Sequence, residues 1–70
     1  MESEHVYKVT EIVGASGSSI DEAVRHGLAR ASSTLRNLDW FEVTSIRGRI
    51  VNGTEPQFQV VIKIGFRLDE

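Results

Sequence analysis

The sequence predicts a single α+β domain with the order β-α-β-β, in which a three-stranded antiparallel sheet of order 1-3-2 packs on one amphipathic helix. Three observations lead to this fold class. An apolar stripe of helical period begins at Ile20. An almost unbroken period-two alternation runs from Gln57 to Leu68. Between the second and third strands lies Asn52-Gly53, whose two residues both tolerate the positive φ of a type I′ hairpin turn.

The small size of the chain indicates that its stability depends on association with another copy of itself. Its 70 residues make one domain over residues 1–70, and a domain of this length buries a modest core. There is no cysteine, so disulfides cannot add stability. His5 and His26 lie far apart without ligand spacing, which argues against a structural metal and identifies both as exposed bystanders. Self-association remains as the source of additional burial.

Charge and hydropathy exclude several classes of partner. The formal net charge of −2 argues against nucleic acid, whose partners normally present a basic surface. No apolar stretch approaches the length that spans a membrane, and the acidic residues 1–4 do not resemble a signal peptide. These features predict a soluble, cytoplasmic protein with neither a nucleic-acid nor a membrane partner.

The first strand and the helix follow from local patterns. Val6 to Val13 is rich in β-branched residues, ends at Gly14 and is followed by a loop over residues 15–18. Ser19 and Glu22 match a capping box at the start of the helix. The helix should end near Asn37. Its apolar stripe comprises Ile20, Ala23, Val24, Gly27, Leu28, Ala31, Leu35 and Leu38.

The remaining strands run from about Trp40 to Ile50 and from Gln57 to Leu68. The hairpin makes the third strand antiparallel to the second, while the return through the helix makes the first and second strands point the same way. A right-handed crossover then places the third strand, with the richest apolar alternation, in the centre of the sheet. The first and second strands are left as long, unpaired edges that invite another chain.

A two-residue turn at Asn52-Gly53 predicts the cross-strand pairs. Trp40 then lies beside Gly65, and Glu42 lies beside Lys63 as a cross-strand ion pair, both on the face turned away from the helix. Arg47 lies opposite Phe58, on the helix side. Pro56 and Gly48 are candidates for a bulge, and a shift of one residue would exchange the two faces.

Trp40 is the only tryptophan, and a large aromatic ring on a mostly polar face requires a partner. Gln59, Lys63 and Arg67 line the same face, which suits a flat ligand with polar edges. The alternative is that Trp40 packs in a subunit interface or covers the bare backbone of Gly65. Residue geometry alone leaves both open and favours the second.

Several segments of the sequence resemble the dodecin family, in the family's order and over nearly the whole chain. The Leu-Asp-Trp-Phe-Glu-Val and Gly-Phe-Arg-Leu segments are the specific ones. The matching segments are Val6–Val9, Glu11–Gly14, Leu35–Val43, Ile46–Gly48, Phe58–Val60 and Lys63–Leu68. The β-α-β-β fold of the family agrees with the order derived above.

The resemblance implies a flavin-binding protein that assembles as a hollow homododecamer. Flavins in this family bind in pairs at twofold interfaces, stacked against tryptophans of two subunits. Trp40 matches the stacking residue and Gln59 the glutamine that binds the pyrimidine edge of the flavin. Arg47 and Arg67 match basic positions near the site. Because the family's bacterial members favour FMN, FMN is the expected ligand, with riboflavin as the alternative and coenzyme A as a further, unplaced ligand.

The chain departs from the family pattern at two positions. Ser45 stands where many relatives carry a glutamate, which removes a carboxylate available for an intersubunit salt bridge. Ala15 stands where threonine is usual. Neither residue lies in the predicted stacking plane, so the departures bear on assembly more than on binding.

Residue patterns do not support an enzyme. Ser32, Ser33, His26 and Asp39 offer reactive groups, but no nucleophile elbow or catalytic triad surrounds them. The Gly14–Gly17 loop has neither dinucleotide-binding nor P-loop spacing. The two functions left open are flavin sequestration and a ligand-free, self-assembling interaction module in which Trp40 fills an interface.

Overall fold

The computed structural model of the chain describes residues 4–68. Residues 1–3, part of the acidic start considered above, and residues 69–70 lie outside the described part. The sheet has the order β1-β3-β2, and β3 is antiparallel to both neighbours. The predicted fold class is therefore confirmed. The four elements are β1 (Tyr7–Ser16), α1 (Ile20–Ser32), β2 (Leu38–Val51) and β3 (Glu55–Arg67).

Strand β1 is longer than predicted. It continues past Gly14 to Ser16, which pairs with Phe58 of β3. The Ser16 side chain then turns inward and accepts a hydrogen bond from the Ser18 amide at 3.0 Å. The loop before the helix is consequently shorter than the predicted 15–18 segment, and the first strand covers the central strand over ten residues.

Only half of the predicted capping box forms at the start of α1. The Ser19 hydroxyl accepts a hydrogen bond from the Glu22 amide at 3.0 Å. The Ser19 amide donates instead to the Ser16 hydroxyl at 3.4 Å. The Glu22 carboxylate pairs with His26 Nε2 at 3.3 Å, one turn along the helix. The helix start is thus held by Ser19 and by the end of β1 together.

Replacing Ser19 with alanine is expected to lower the free energy of unfolding by about 1 kcal/mol, the usual effect of losing a serine cap. Denaturant titration at fixed protein concentration measures it. Ser32→Ala is the matched control, because it removes an exposed hydroxyl from the last turn of the same helix. Equal stability of the two variants would contradict a capping role for Ser19.

The helix ends at Ser32, five residues before the predicted end at Asn37. The Ser32 and Ser33 hydroxyls donate to the carbonyls of Ala29 and Arg30, at 2.9 and 2.7 Å. Such local bonds compete with continued helix. Leu35 and Leu38 still pack against the core, from the loop and from the start of β2, so the apolar stripe was correct although the helical interpretation of its last part was wrong.

The core lies where α1 crosses β1 and β3. It consists of fully buried residues of the helix and of the central strand, with Ile62 of β3 and Gly27 of α1 in close contact. A Cβ placed on Gly27 would lie 2.9 Å from Ile62 Cδ1. The buried core residues are Ala23, Ala31, Val60, Ile62 and Ile64.

The helix covers only the start of β2, where Leu38 packs against the core, although the three-stranded sheet was predicted to pack on the helix. The helix-side residues of β2 remain exposed, Ile46 at 55% and Ile50 at 74%. The protomer is elongated, 54 × 21 × 14 Å, with a radius of gyration of 14.5 Å. A compact domain of this length would have a radius of about 11 Å. An apolar half-face is therefore left without a covering layer in the single protomer.

None of the helical segments within residues 4–68 combines the length and the apolar character that crossing a bilayer requires.

Candidate functional site

The first half of the β2–β3 ladder has the predicted pairs. Trp40 pairs with Gly65, Glu42 with Lys63, and Val43 with Ile62. Since Ile62 belongs to the core under the helix and residues alternate along a strand, Trp40 and Gly65 face away from the helix. We call this side of the sheet the outer face. The predicted position of Trp40 on it is confirmed.

The Trp40 indole lies directly against the Gly65 backbone. A Cβ placed on Gly65 would overlap the indole atoms Cε2, Cζ2 and Nε1, so only glycine leaves room for the ring in this position. Trp40 is nevertheless 41% exposed. One side of the ring is thus supported by the sheet, and the arrangement fits a planar aromatic ligand that stacks on the remaining surface.

The second half of the ladder departs from the prediction by one residue. The hairpin loop contains Thr54 in addition to Asn52 and Gly53, so Val51 pairs with Glu55. The Thr54 amide donates to the Val51 carbonyl at 3.2 Å, and both Asn52 and Gly53 adopt positive φ, as predicted. The loop assignment was therefore right in its backbone conformation and wrong in its length.

A β-bulge at Thr44 restores the register towards Trp40. Val43 pairs with Ile62 and Ser45 with Val61, which leaves Thr44 unpaired. The Thr44 hydroxyl donates to the Val61 carbonyl at 3.3 Å. The expected position of the bulge, near Gly48 and Pro56, was wrong. Every β2 side chain between the bulge and the turn changes face relative to the prediction.

This change corrects the position of Arg47. It pairs with Gln59 on the outer face, not with Phe58 on the helix side, and its Nε donates to Gln59 Oε1 at 2.9 Å. Ile46 moves to the helix side opposite Val60. The structure thus brings together two of the predicted site residues, Arg47 and Gln59, which the predicted register had placed on opposite faces of the sheet.

The four predicted site residues form two groups on the outer face. Trp40 and Arg67 lie at one end, since Arg67 follows Gly65 by two residues, or about 7 Å of strand. Gln59 and Arg47 lie about 20 Å along β3 from Gly65, six residues away. No small planar ligand reaches both groups of one protomer.

Two further residues at the Trp40 end were missed. Tyr7 of β1 pairs with Arg67, and Asp39 bulges out of β2 between Leu38 and Trp40. Hydrogen bonding to the Asp39 carboxylate raises the pKa of the exposed Tyr7 phenol above its usual value. Because the pKa is raised, any stability that the phenol gains from this interaction is present below its ordinary pKa and is lost as strongly alkaline solution ionises the phenol. The period-two alternation of β1 could have indicated Tyr7, because it places Tyr7 on the same face as Val9, the residue that pairs with Gly65.

His26 is exposed, as expected, but it also forms a structural contact. Its Nδ1 lies 2.9 Å from the carbonyl oxygen of Ala15, so the imidazole joins the helix to the end of β1. Within residues 4–68 no cluster of three or more histidine, cysteine or acidic residues could hold a metal ion. Glu42 and Lys63 face each other in register, but among the described residues no ion pair joins them within 4.0 Å.

Two grooves flank the helix. A groove of about 360 Å³ lies between β1 and the helix and includes Gly14 and His26. A second groove of about 380 Å³ lies between the helix and the start of β2, and its lining includes Leu28, Asp39 and Trp40. Gln59, Arg47 and Arg67 line neither groove. Trp40 borders the second groove, and a ligand stacked on the exposed surface of its ring would keep its second side open to solvent unless another molecule covers it.

These features define a class: a small α+β domain that presents an aromatic ring on an open sheet face and divides its polar groups between two distant positions. A family model described as Dodecin matches residues 6–69. The chain belongs to the dodecin family.

Similar proteins agree with this assignment. The dodecin of Thermus thermophilus is 51% identical over 65 residues, which cover 93% of this chain and 94% of that protein. The solved dodecin of Streptomyces coelicolor is 56% identical with a TM-score of 0.89, covering 97% of both chains. That of Streptomyces davaonensis is 55% identical with a TM-score of 0.88, covering 94% and 97%. Other matched structures are variants of the Thermus protein in which an arginine or a tryptophan is replaced.

Proposed function

We propose that this protein binds flavin and sequesters it, without catalysing a reaction, as a closed homo-oligomer of cytoplasmic location. The observation that carries the proposal is the exposed Trp40 indole lying on the bare backbone of Gly65. The ring is held in place on one side and is free on the other, as a stacking surface for an isoalloxazine ring requires. Membership of the dodecin family supports the same ligand class.

The polar groups suit the rest of the ligand. The Gln59 side chain offers both an amide donor and a carbonyl acceptor, which match the pyrimidine edge of a flavin. Arg47 binds Gln59 Oε1 and so restricts how the Gln59 amide can turn. Arg67 is a guanidinium close to the Trp40 end and suits a phosphate. We therefore propose FMN ahead of riboflavin, and we assign no position to coenzyme A.

The proposal requires a second copy of the chain. Because Trp40 and Gln59 of one protomer are about 20 Å apart, the ring stacked on one protomer must take its hydrogen bonds from another. A twofold axis through the outer face brings the Trp40 end of one protomer next to a second protomer. The second protomer then supplies the polar group that the first cannot place beside its own Trp40. Uncovered apolar residues on the helix side of β2 supply a further reason to assemble, and a dodecamer is the assembly that family membership favours.

When bound, the flavin supplies a photoreactive ring, whose excited state an adjacent electron-rich indole quenches. Trp40 stacks on the ring and excludes water from it, while Gln59 fixes its orientation. Sequestration in this form would buffer free flavin and limit photochemical damage.

Replacement of Trp40 by alanine tests the stacking. Stacking of a planar base on an aromatic side chain contributes about 1–3 kcal/mol, so the variant should bind FMN roughly 5- to 150-fold more weakly. Trp40→Phe, which keeps a smaller ring, should lose less. Titration of flavin-free protein, followed by quenching of FMN fluorescence, gives both affinities. Unchanged affinity of the alanine variant would rule out a stacking role.

The alternative function is a self-assembling interaction module in which Trp40 fills an interface. The exposed apolar side of β2 would serve this function equally well. It predicts a colourless oligomer without affinity for FMN or riboflavin. An absorption spectrum of the purified protein, with its size by light scattering, separates the two functions before any variant is made.

A further inference from the structure

Asn37 closes the sheet at the end that carries Trp40. The Asn37 carbonyl accepts a hydrogen bond from the Arg67 amide at 3.0 Å. The Asn37 side chain donates through Nδ2 to the Arg67 carbonyl at 3.3 Å. One residue thus holds both main-chain polar groups of Arg67. The left-handed backbone of Asn37, with φ of 62°, sets this geometry, and asparagine tolerates that region well.

These two hydrogen bonds join the residue that precedes β2 to β3, next to a point where the β2–β3 ladder is interrupted. Asp39 is left unpaired by the bulge between Leu38 and Trp40. Beyond the bulge, Leu38 pairs with Phe66, and the bonds from Asn37 to Arg67 are the next connection. A bulge loosens the local pairing of strands. The position of Trp40 relative to Gly65 therefore depends on how firmly the strand ends are joined outside the bulge.

We propose that Asn37 is a positioning residue for the ligand site, because its side chain fixes the Arg67 main chain and thereby holds the Arg67 guanidinium and the Trp40 ring in a common arrangement. This inference rests on the proposed flavin function and adds to it a determinant of ligand preference. Arg67 is the group at this end that suits a phosphate. Loss of the Asn37 side chain should therefore weaken binding of FMN more than binding of riboflavin.

The competing explanation is that Asn37 only supplies a left-handed residue. The chain contains a matched control for this explanation. Asn52 also adopts positive φ, 53°, but lies in the hairpin at the opposite end of β2, and within the described residues its side chain forms no hydrogen bond. Glycine adopts positive φ without strain, so Asn37→Gly and Asn52→Gly keep the backbone conformation while each removes one side chain.

Two measurements on the assembled protein test the inference. Trp40 is the only tryptophan, so its fluorescence reports this position without any flavin. Asn37→Gly should increase quenching of Trp40 by acrylamide, whereas Asn52→Gly should leave it at the wild-type value. In flavin titrations, Asn37→Gly should raise the Kd for FMN on the order of fivefold more than the Kd for riboflavin, the effect of one lost hydrogen bond. Asn52→Gly should not change the ratio.

The outcomes distinguish this inference from the proposed function. Acrylamide quenching of Asn37→Gly equal to that of Asn52→Gly would overturn the positioning role. An unchanged ratio of FMN to riboflavin affinity in a wild type that binds both would overturn it as well. If the wild type binds no flavin, the proposed function fails, and the Trp40 quenching comparison still decides whether Asn37 positions the ring.

Discussion

Replacing Gly65 with alanine should abolish flavin stacking while leaving the fold as stable as before. The added Cβ would overlap three atoms of the Trp40 indole, so the ring must leave its place on the sheet. Because stacking of a planar ring on an aromatic side chain contributes about 1–3 kcal/mol, the affinity for FMN should fall roughly 5- to 150-fold. Glycine within a strand is itself unfavourable by about 0.5–1 kcal/mol relative to alanine, so unfolding should not become easier.

Gly48→Ala is the matched control for this substitution. Gly48 is also a strand glycine of the β2–β3 hairpin, and a Cβ there would meet its nearest neighbour, the Gln57 carbonyl oxygen, at an ordinary 3.6 Å. FMN titration and denaturant unfolding of both variants separate binding from stability. If Gly65→Ala keeps the wild-type affinity for FMN, or if Gly48→Ala loses as much affinity, contact with the Gly65 backbone does not position the Trp40 ring for its ligand.

The fold could be predicted because several independent patterns agreed. The period-two alternation of β3, the positive-φ dipeptide Asn52-Gly53 and the apolar stripe of the helix each specify one element, and together they allow few topologies. The central position of β3 followed from its apolar content, and Val60 and Ile62 are indeed fully buried.

The position of Trp40 was predicted correctly although two errors entered the register. The loop is one residue longer than assumed, because it includes Thr54, and β2 contains one extra residue, Thr44, in a bulge. The two errors cancel for residues before the bulge, which is why Trp40 pairs with Gly65 as expected. They do not cancel between the bulge and the loop, so Arg47 was assigned to the wrong face.

The sequence around the bulge contained no signal that could have corrected this. Thr44 and Ser45 are small, polar and exposed, so either can face either side of the sheet without an energetic penalty. The end of the helix could not be predicted from the sequence for a similar reason. Leu35 and Leu38 continue the apolar spacing, and periodicity does not distinguish a helical turn from a loop that buries the same side chains.

Gly14→Ala should produce the largest loss of stability, because this glycine allows the helix to touch β1. A Cβ on Gly14 would overlap the Ala23 carbonyl oxygen and lie 3.3 Å from the Gly27 amide nitrogen. Both neighbours are helix main chain, which cannot rotate out of the way as a side chain can. The whole helix must therefore shift from the core, and overpacking of this kind typically costs about 1–3 kcal/mol.

Gly17→Ala provides the comparison, since nothing lies within 4 Å of a Cβ at that position. Urea unfolding at one protein concentration should show a lower midpoint for Gly14→Ala and none of this loss for Gly17→Ala. Equal midpoints would contradict close packing of the helix at Gly14. Because Gly14 lies on the helix side and Trp40 on the outer face, the folded Gly14→Ala protein should keep its FMN affinity. Gly14 and Gly65 would then separate the two roles of one sheet, whose helix side maintains the fold and whose outer face holds the ligand.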